Sequence, residues 1–265
     1  MPIRFDRKPG LVAYITAGDP SIDATREIAI AAIDAGANVI ELGVPFSDPL
    51  ADGPVIQRAS QRSLAHGTRL KDVLALAHQI RAARTDAGLI VFSYLNPILR
   101  YGLSKFADDA AAAGVDGVLV TDLIVEEAAE YLAQMSRVNL APIFLAAPTS
   151  PDARLQAIAA HSKGFVYAIS RVGVTGTQQD VASDAAALVT RIRRLSSSAG
   201  PSLPVAVGFG ISNVEHVAQV AEFADAAVVG SVIVELIENS TPEEAPGAVA
   251  RFIKGLRQPQ AALAR

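Results

Sequence analysis

Apolar residues recur in short runs of strand length, at Leu11–Thr16, Val39–Val44, Leu89–Leu95, Gly117–Thr121, Pro142–Ala147, Phe165–Ser170, Val205–Phe209 and Ala226–Val229. The runs are rich in Val, Ile and Leu and do not alternate strictly with polar residues, as expected of parallel strands buried on both faces. Between them lie stretches with helical spacing: Ile22–Ala35, Leu70–Ala87, Ala107–Ala113, Glu126–Arg137, Asp152–Ala160, Asp180–Leu195 and Val214–Phe223. Gly36, Gly88 and Gly114 follow helical runs, where a left-handed residue would release the chain into a strand. Ser21, Ser150 and Asn213 stand where N-caps belong. Strand and helix thus alternate through all eight runs without a central break in order, which predicts an α/β fold closed into a single (β/α)8 TIM barrel. An open doubly wound sheet is the structural alternative.

Composition narrows the picture. A length of 265 residues suits one barrel domain, with a core over about 11–257 and a frayed tail after Pro259. With 51% hydrophobic and 19% charged residues the chain is predicted to fold fully. A net charge of −4 without a dense Lys/Arg run argues against nucleic-acid or anionic-membrane partners. The absence of cysteine excludes disulfides, thiolate nucleophiles and cysteine-ligated metals. Residues 1–10 lack the apolar stretch of a signal peptide, and no apolar run reaches the ~20 residues needed to span a bilayer. A soluble, cytoplasmic protein is the expectation.

Barrels carry their chemistry at the C-terminal ends of strands and in the loops that follow. There the sequence places Thr16-Ala17-Gly18-Asp19-Pro20, Glu41 inside the second strand, and a long loop from Pro45 to Pro54 that contains Asp48 and Asp52. Tyr94-Leu95-Asn96-Pro97 closes the third strand and Thr121-Asp122 the fourth. Three glycine-rich segments follow strands six, seven and eight: Arg171 to Gly176, Gly208 to Ser212, and Gly230-Ser231. Glycines let backbone N–H groups approach an anion, and Gly230-Ser231 would open a short extra helix, Val232–Glu238, with its positive end toward a phosphate. Tight turns are the plainer use of such glycines. Glu41 lies in an apolar strand, so it is either a carboxyl of raised pKa poised for acid–base work or one held by an arginine or by backbone N–H groups. Asp52, on a Pro/Gly-rich loop, reads by itself as a turn former. None of the five lysines falls at the C-terminal end of a strand, which disfavours a Schiff-base aldolase, and the four histidines show no metal-ligand spacing.

The run Glu41-Leu42-Gly43-Val44-Pro45-Phe46-Ser47-Asp48-Pro49-Leu50-Ala51-Asp52-Gly53-Pro54 resembles the signature of the tryptophan synthase alpha chain. Further matches follow in family order: Ile15 to Pro20, Ala141 to Phe144, Ser170 to Gly176 and Gly208 to Ser212. The resemblance implies retro-aldol cleavage of indole-3-glycerol phosphate to indole and glyceraldehyde 3-phosphate in L-tryptophan biosynthesis. It makes Glu41 the general acid–base and Asp52 the carboxylate facing the indole N–H. Tyr94, Asp122, Tyr167 and Thr175 are assigned to the substrate pocket; Tyr14 and Phe92 either line it or pack in the core. Gly176, Gly210, Gly230 and Ser231 would form the phosphate cradle. The resemblance also implies an α2β2 assembly with a beta chain that carries pyridoxal phosphate, docked through Pro45, Asp48, Asn96 and Pro97, with no cofactor or metal in this chain. Other readings are a stand-alone lyase releasing free indole, a phosphosugar isomerase or epimerase sharing the glycine-rich quadrant, and a purely allosteric subunit. One departure is visible: few residues precede Leu11 where the family has a longer first helix, leaving the closure of the barrel's bottom face open.

Overall fold

The apolar runs form the strands β1 (Gly10–Thr16), β2 (Val39–Gly43), β3 (Gly88–Ser93), β4 (Gly117–Val120), β5 (Ala141–Ile143), β6 (Leu145–Ala146), β7 (Val166–Ile169), β8 (Val205–Gly208) and β9 (Ala226–Val229). A computed structural model describes residues 3–169, 178–196, 203–208 and 210–257. The strand pairings among the described residues are all parallel, and β1 lies between β2 and β9, so the first and last strands are neighbours and an open sheet is excluded. β5 pairs with β4 and β6 with β7. These two pieces are one strand divided at Phe144, whose carbonyl accepts from the Tyr167 N–H at 3.1 Å, and the ring thereby closes.

Around it run α1 (Ile22–Asp34), α2 (Pro54–Ala65), α3 (Leu70–Ala83), α4 (Leu95–Tyr101), α5 (Leu103–Ala112), α6 (Ala129–Arg137), α7 (Asp152–His161), α8 (Gln178–Ser196), α9 (Val214–Phe223), α10 (Ser231–Glu238) and α11 (Ala245–Leu256). Successive strand residues point to opposite faces. Val12, Val39, Ile90, Leu119, Ile143, Phe165 and Ala206 therefore fill the barrel interior, while Leu11, Ile15, Ile40, Leu42, Leu89 and Val91 pack outward on the helices. The bottom is plugged by the short N-terminal segment: Ile3 and Phe5 pack on the interior cluster, and the Phe5 ring lies 5.9 Å from that of Phe165.

Local signals behave unevenly. Gly36 and Gly114 take positive φ (110° and 77°) after their helices, but Gly88 opens β3 with no such conformation. Ser21 and Asn213 cap α1 and α9 through their side chains, whereas α7 is preceded by Pro151, and the Ser150 hydroxyl accepts instead from the Ala147 N–H. The third strand stops at Ser93 rather than Leu95, because residues from Leu95 onward wind into α4, with Pro97 in its first turn where no N–H partner is lost. α2 and α11 are additions to the sequence reading. Pro54 at the first helical position after Gly53 was the available sign of α2.

Candidate active site

The strand pleat that fills the interior also places Glu41. It pairs in register with Tyr14 on β1 and Ile90 on β3, faces inward, and is fully buried. Neither carboxylate oxygen has a hydrogen-bond partner among the described residues. Among the described residues no arginine and no backbone N–H group holds it. Burial without compensation pushes its pKa up to about 8, so the carboxyl carries a proton near neutrality.

Two glycines make room above it. A Cβ on Gly43 would stand 2.2 Å from the Tyr14 hydroxyl oxygen, and one on Gly208 would stand 2.8 Å from that of Tyr167. The missing side chains are therefore slots for the two phenols. The Tyr14 ring meets Phe92 edge-on, with centroids 5.1 Å apart. Tyr14, Phe92 and Tyr167 line a cavity of about 140 Å³ with Ile56, and Gly208, Gly210, Gly230 and Ser231 border the same space. Both phenols are held well above their usual pKa, first by burial and then by the nearby carboxylates of Asp52 and Glu41. Glu41 and Asp52 are the carboxylates whose charge acts on the two phenols that line this space.

Asp52 arrives from the loop after β2. The Tyr94 hydroxyl donates to its carboxylate at 3.1 Å and accepts from the Ala51 N–H at 2.9 Å, while the Tyr94 ring packs on Phe46 with centroids 5.1 Å apart. Tyr94 thus grips the loop through three points. Burial pushes Asp52 up to about 6, and the bond from Tyr94 opposes that rise. Asp122 accepts from the Leu95 N–H at 2.7 Å and so stands at the N-terminal end of α4. Gln57, on α2, donates to the Asp52 carbonyl at 2.8 Å, a contact that sequence reading missed because the helix itself was unread.

Part of the glycine quadrant lies among the described residues. Gly230 is the N-cap of α10 and Ser231 its first residue, which aims the helix's N–H groups at the cavity. Gly210 adopts φ 78°, a conformation that favours glycine. Thr175 and Gly176 lie outside the described residues. Pro45, Asp48, Asn96 and Pro97 come together along one separate depression of about 770 Å³, between the loop after β2 and α4.

Comparison with known proteins gives a consistent answer. The sequence model of the family described as tryptophan synthase alpha chain matches residues 3–262. The chain is 49% identical over 243 residues to the tryptophan synthase alpha chain of Solibacter usitatus, covering 92% of this chain and 89% of that one. Among solved structures it resembles tryptophan synthase subunit alpha from Legionella pneumophila, at TM-score 0.86 and 37% identity, covering 96% of this chain and 93% of that one. It also resembles a chain of the tryptophan synthase complex from Pyrococcus furiosus, at TM-score 0.83 and 35% identity, covering 94% and 98%.

Proposed function

The chain belongs to the tryptophan synthase alpha chain family, lyases that cleave indole-3-glycerol phosphate, and we propose that Glu41 and Asp52 carry that reaction here. The observation that carries the assignment is the buried Glu41 carboxyl with no partner on either oxygen among the described residues, beside the phenols that line the cavity. Cleavage needs a proton at indole C3 and the loss of one from the hydroxyl on the neighbouring side-chain carbon. Glu41, protonated near neutrality, gives the first. The carbon–carbon bond then breaks as that hydroxyl becomes an aldehyde, and the Glu41 carboxylate takes up its proton, so the enzyme returns to its starting state. Positive charge developing at the ring nitrogen is met by the Asp52 carboxylate. Gly210, Gly230 and Ser231, with Thr175 and Gly176, hold the phosphate end and close the site, while Tyr14, Phe92 and Tyr167 take the indole.

Partnership with a beta chain carrying pyridoxal phosphate, in an α2β2 assembly, completes the reading. Support comes from the surface: Leu50, Leu99 and Ile124 are the exposed large hydrophobics among the described residues, and all three follow the neighbouring strands β2, β3 and β4. An apolar group gathered on one face marks a docking site. It adjoins the depression formed by Pro45, Asp48, Asn96 and Pro97. No helix among the described residues is long and apolar enough to cross a membrane, and a cytoplasmic location fits. The test is to incubate the purified chain with indole-3-glycerol phosphate and follow indole and aldehyde with and without a beta chain. Slow release alone and faster turnover with partner are expected. No indole under either condition would sink the assignment, and a rate indifferent to bound partner would make the chain a stand-alone lyase.

A further inference from the structure

α2 is a rod about 18 Å long, bound by polar contacts at both ends. At its N-terminal end the Gln57 amide donates to the carbonyls of Asp52 and Pro49, at 2.8 and 3.5 Å, so the loop bearing Asp52 moves with the helix. Near its other end Arg62 forks onto Asp19, in the turn after β1, through Nε at 2.8 Å and Nη2 at 2.7 Å. Ser63 Oγ donates to the Ala17 carbonyl in the same turn at 2.6 Å. The third arm of Arg62, Nη1, reaches Glu238 Oε1 at 2.6 Å, and Arg58 grips that carboxylate at 2.9 and 2.7 Å.

Glu238 is the last residue of α10, the helix whose first residue, Ser231, borders the cavity. A carboxylate at a helix C-terminus is opposed by the helix dipole, and two guanidinium groups here offset that. Along the rod, Val55, Ile56 and Ala59 pack with Val234 of α10 and with Tyr14, and Ile56 shares the cavity wall with Gly230 and Ser231. Exposed ion pairs add little to stability, and a buried pair is often replaceable by apolar packing without loss. The Asp19 side chain is only 3% exposed, and its fork to Arg62, beside the Ser63–Ala17 hydrogen bond, fixes an orientation between α2 and the turn after β1.

We propose that Arg62 is a positioning residue of the reaction: with Glu238 it ties α2 to α10, so that an anion at the N-terminal end of α10 sets the place of Asp52. The inference rests on the assignment of Asp52 and of the phosphate cradle made above. Its test uses indole and inorganic phosphate as separate probes, with Arg62→Lys, which keeps the charge but loses the fork, and Glu238→Gln. The second variant leaves the Arg62–Asp19 pair in place and so protects the fold. In the parent, saturating phosphate is expected to tighten indole binding about five-fold or more, within the usual range for linked sites. Glu238→Gln, which loosens the hold of both arginines, should lose most of that effect and Arg62→Lys, which leaves the Arg58 grip on Glu238, a smaller part of it, with kcat reduced up to about ten-fold while KM stays within about three-fold, as for an interaction that matters in the transition state. A merely structural bridge would lower Tm and leave the phosphate effect and kcat intact. That result, or a parent in which phosphate does not alter indole binding, overturns the proposal. If the parent fails to cleave indole-3-glycerol phosphate, the reading of the site fails, while the phosphate–indole coupling is still measured on its own.

Discussion

Polar side chains at the N-terminal rim of the barrel and Glu41 toward its C-terminal end stand in contrasting surroundings. At the N-terminal end of the strands, Asn38, Asp116 and Asp225 each directly precede a strand and accept the N–H of a residue on the neighbouring one: Leu11 at 3.0 Å, Leu89 at 2.9 Å and Val205 at 2.9 Å. Each also meets an arginine: Arg257 at Asn38, Arg81 at Asp116 and Arg193 at Asp225. The device repeats around the ring and leaves its acceptors satisfied. At the C-terminal end, Glu41 is fully buried, more deeply than Asn38 or Asp225, and has no hydrogen-bond partner among the described residues. A buried carboxylate without a donor costs free energy that a fold selected for stability alone would avoid. Asp19, buried at the same end, is held by Arg62, so the want belongs to Glu41 itself, at the end of a barrel that carries chemistry.

The largest effect should come from Glu41→Gln, which keeps shape and removes the proton donor. Turnover is expected to fall about 10²–10⁴-fold with KM little changed, measured on protein whose folding is checked by circular dichroism. Stability should respond in the opposite sense. Because burial raises the Glu41 pKa from 4.5 to about 8, the native state holds its proton more tightly than the unfolded chain. The resulting stability is fully present below about pH 4.5 and is lost as pH rises through about 8. Urea unfolding across that window should slope downward in the parent and be flatter in Glu41→Gln; equal slopes would show that Glu41 is compensated in solution.

The bottom end is broken by Arg81→Met, which takes the guanidinium away from the Asp116 carboxylate, whose side chain is 2% exposed. Removing one partner of a buried pair should cost about 3–5 kcal/mol, read from the urea midpoint. kcat on folded protein should stay within about two-fold, since barrel bottoms carry stability rather than chemistry. A large loss of kcat without loss of stability would erase the contrast between the ends.

The pH profile sharpens the comparison within the active end. Asp52 must be ionised and Glu41 protonated, so kcat/KM should fall as pH drops through about 6 and as it rises through about 8. The Tyr94 hydroxyl bond lowers the Asp52 pKa, hence Tyr94→Phe should move the acid limb upward and leave the alkaline limb in place. An unmoved acid limb would detach Tyr94 from Asp52. The smallest effect is expected from Gly230→Val. A Cβ there would make ordinary contact with Tyr14 at 3.5 Å, so the fold should tolerate it, while the branched side chain crowds the N-terminal end of α10. KM should rise several-fold with kcat nearly unchanged; unaltered substrate and phosphate binding would move the cradle elsewhere.

The sequence by itself determined the alternation of strand and helix, the glycine-marked exits at Gly36 and Gly114, the caps at Ser21 and Asn213, and the run from Glu41 to Pro54 that identifies the family. These are local: each depends on a few neighbours in the chain or on a motif read in order. Tertiary structure decided the rest. Whether Glu41 had a partner depended on the strands on either side of it and on the phenols that Gly43 and Gly208 admit, none adjacent to it in sequence. The helical state of Leu95–Tyr101, read as the end of a strand, hangs on Asp122 from 27 positions further along the chain. α2, with little apolar surface of its own, is fixed by Asp19 and Glu238, residues 43 and 176 positions from Arg62. Such contacts leave no periodic trace, because the side chains that make them come from elements whose nearness is a product of barrel closure rather than of chain order.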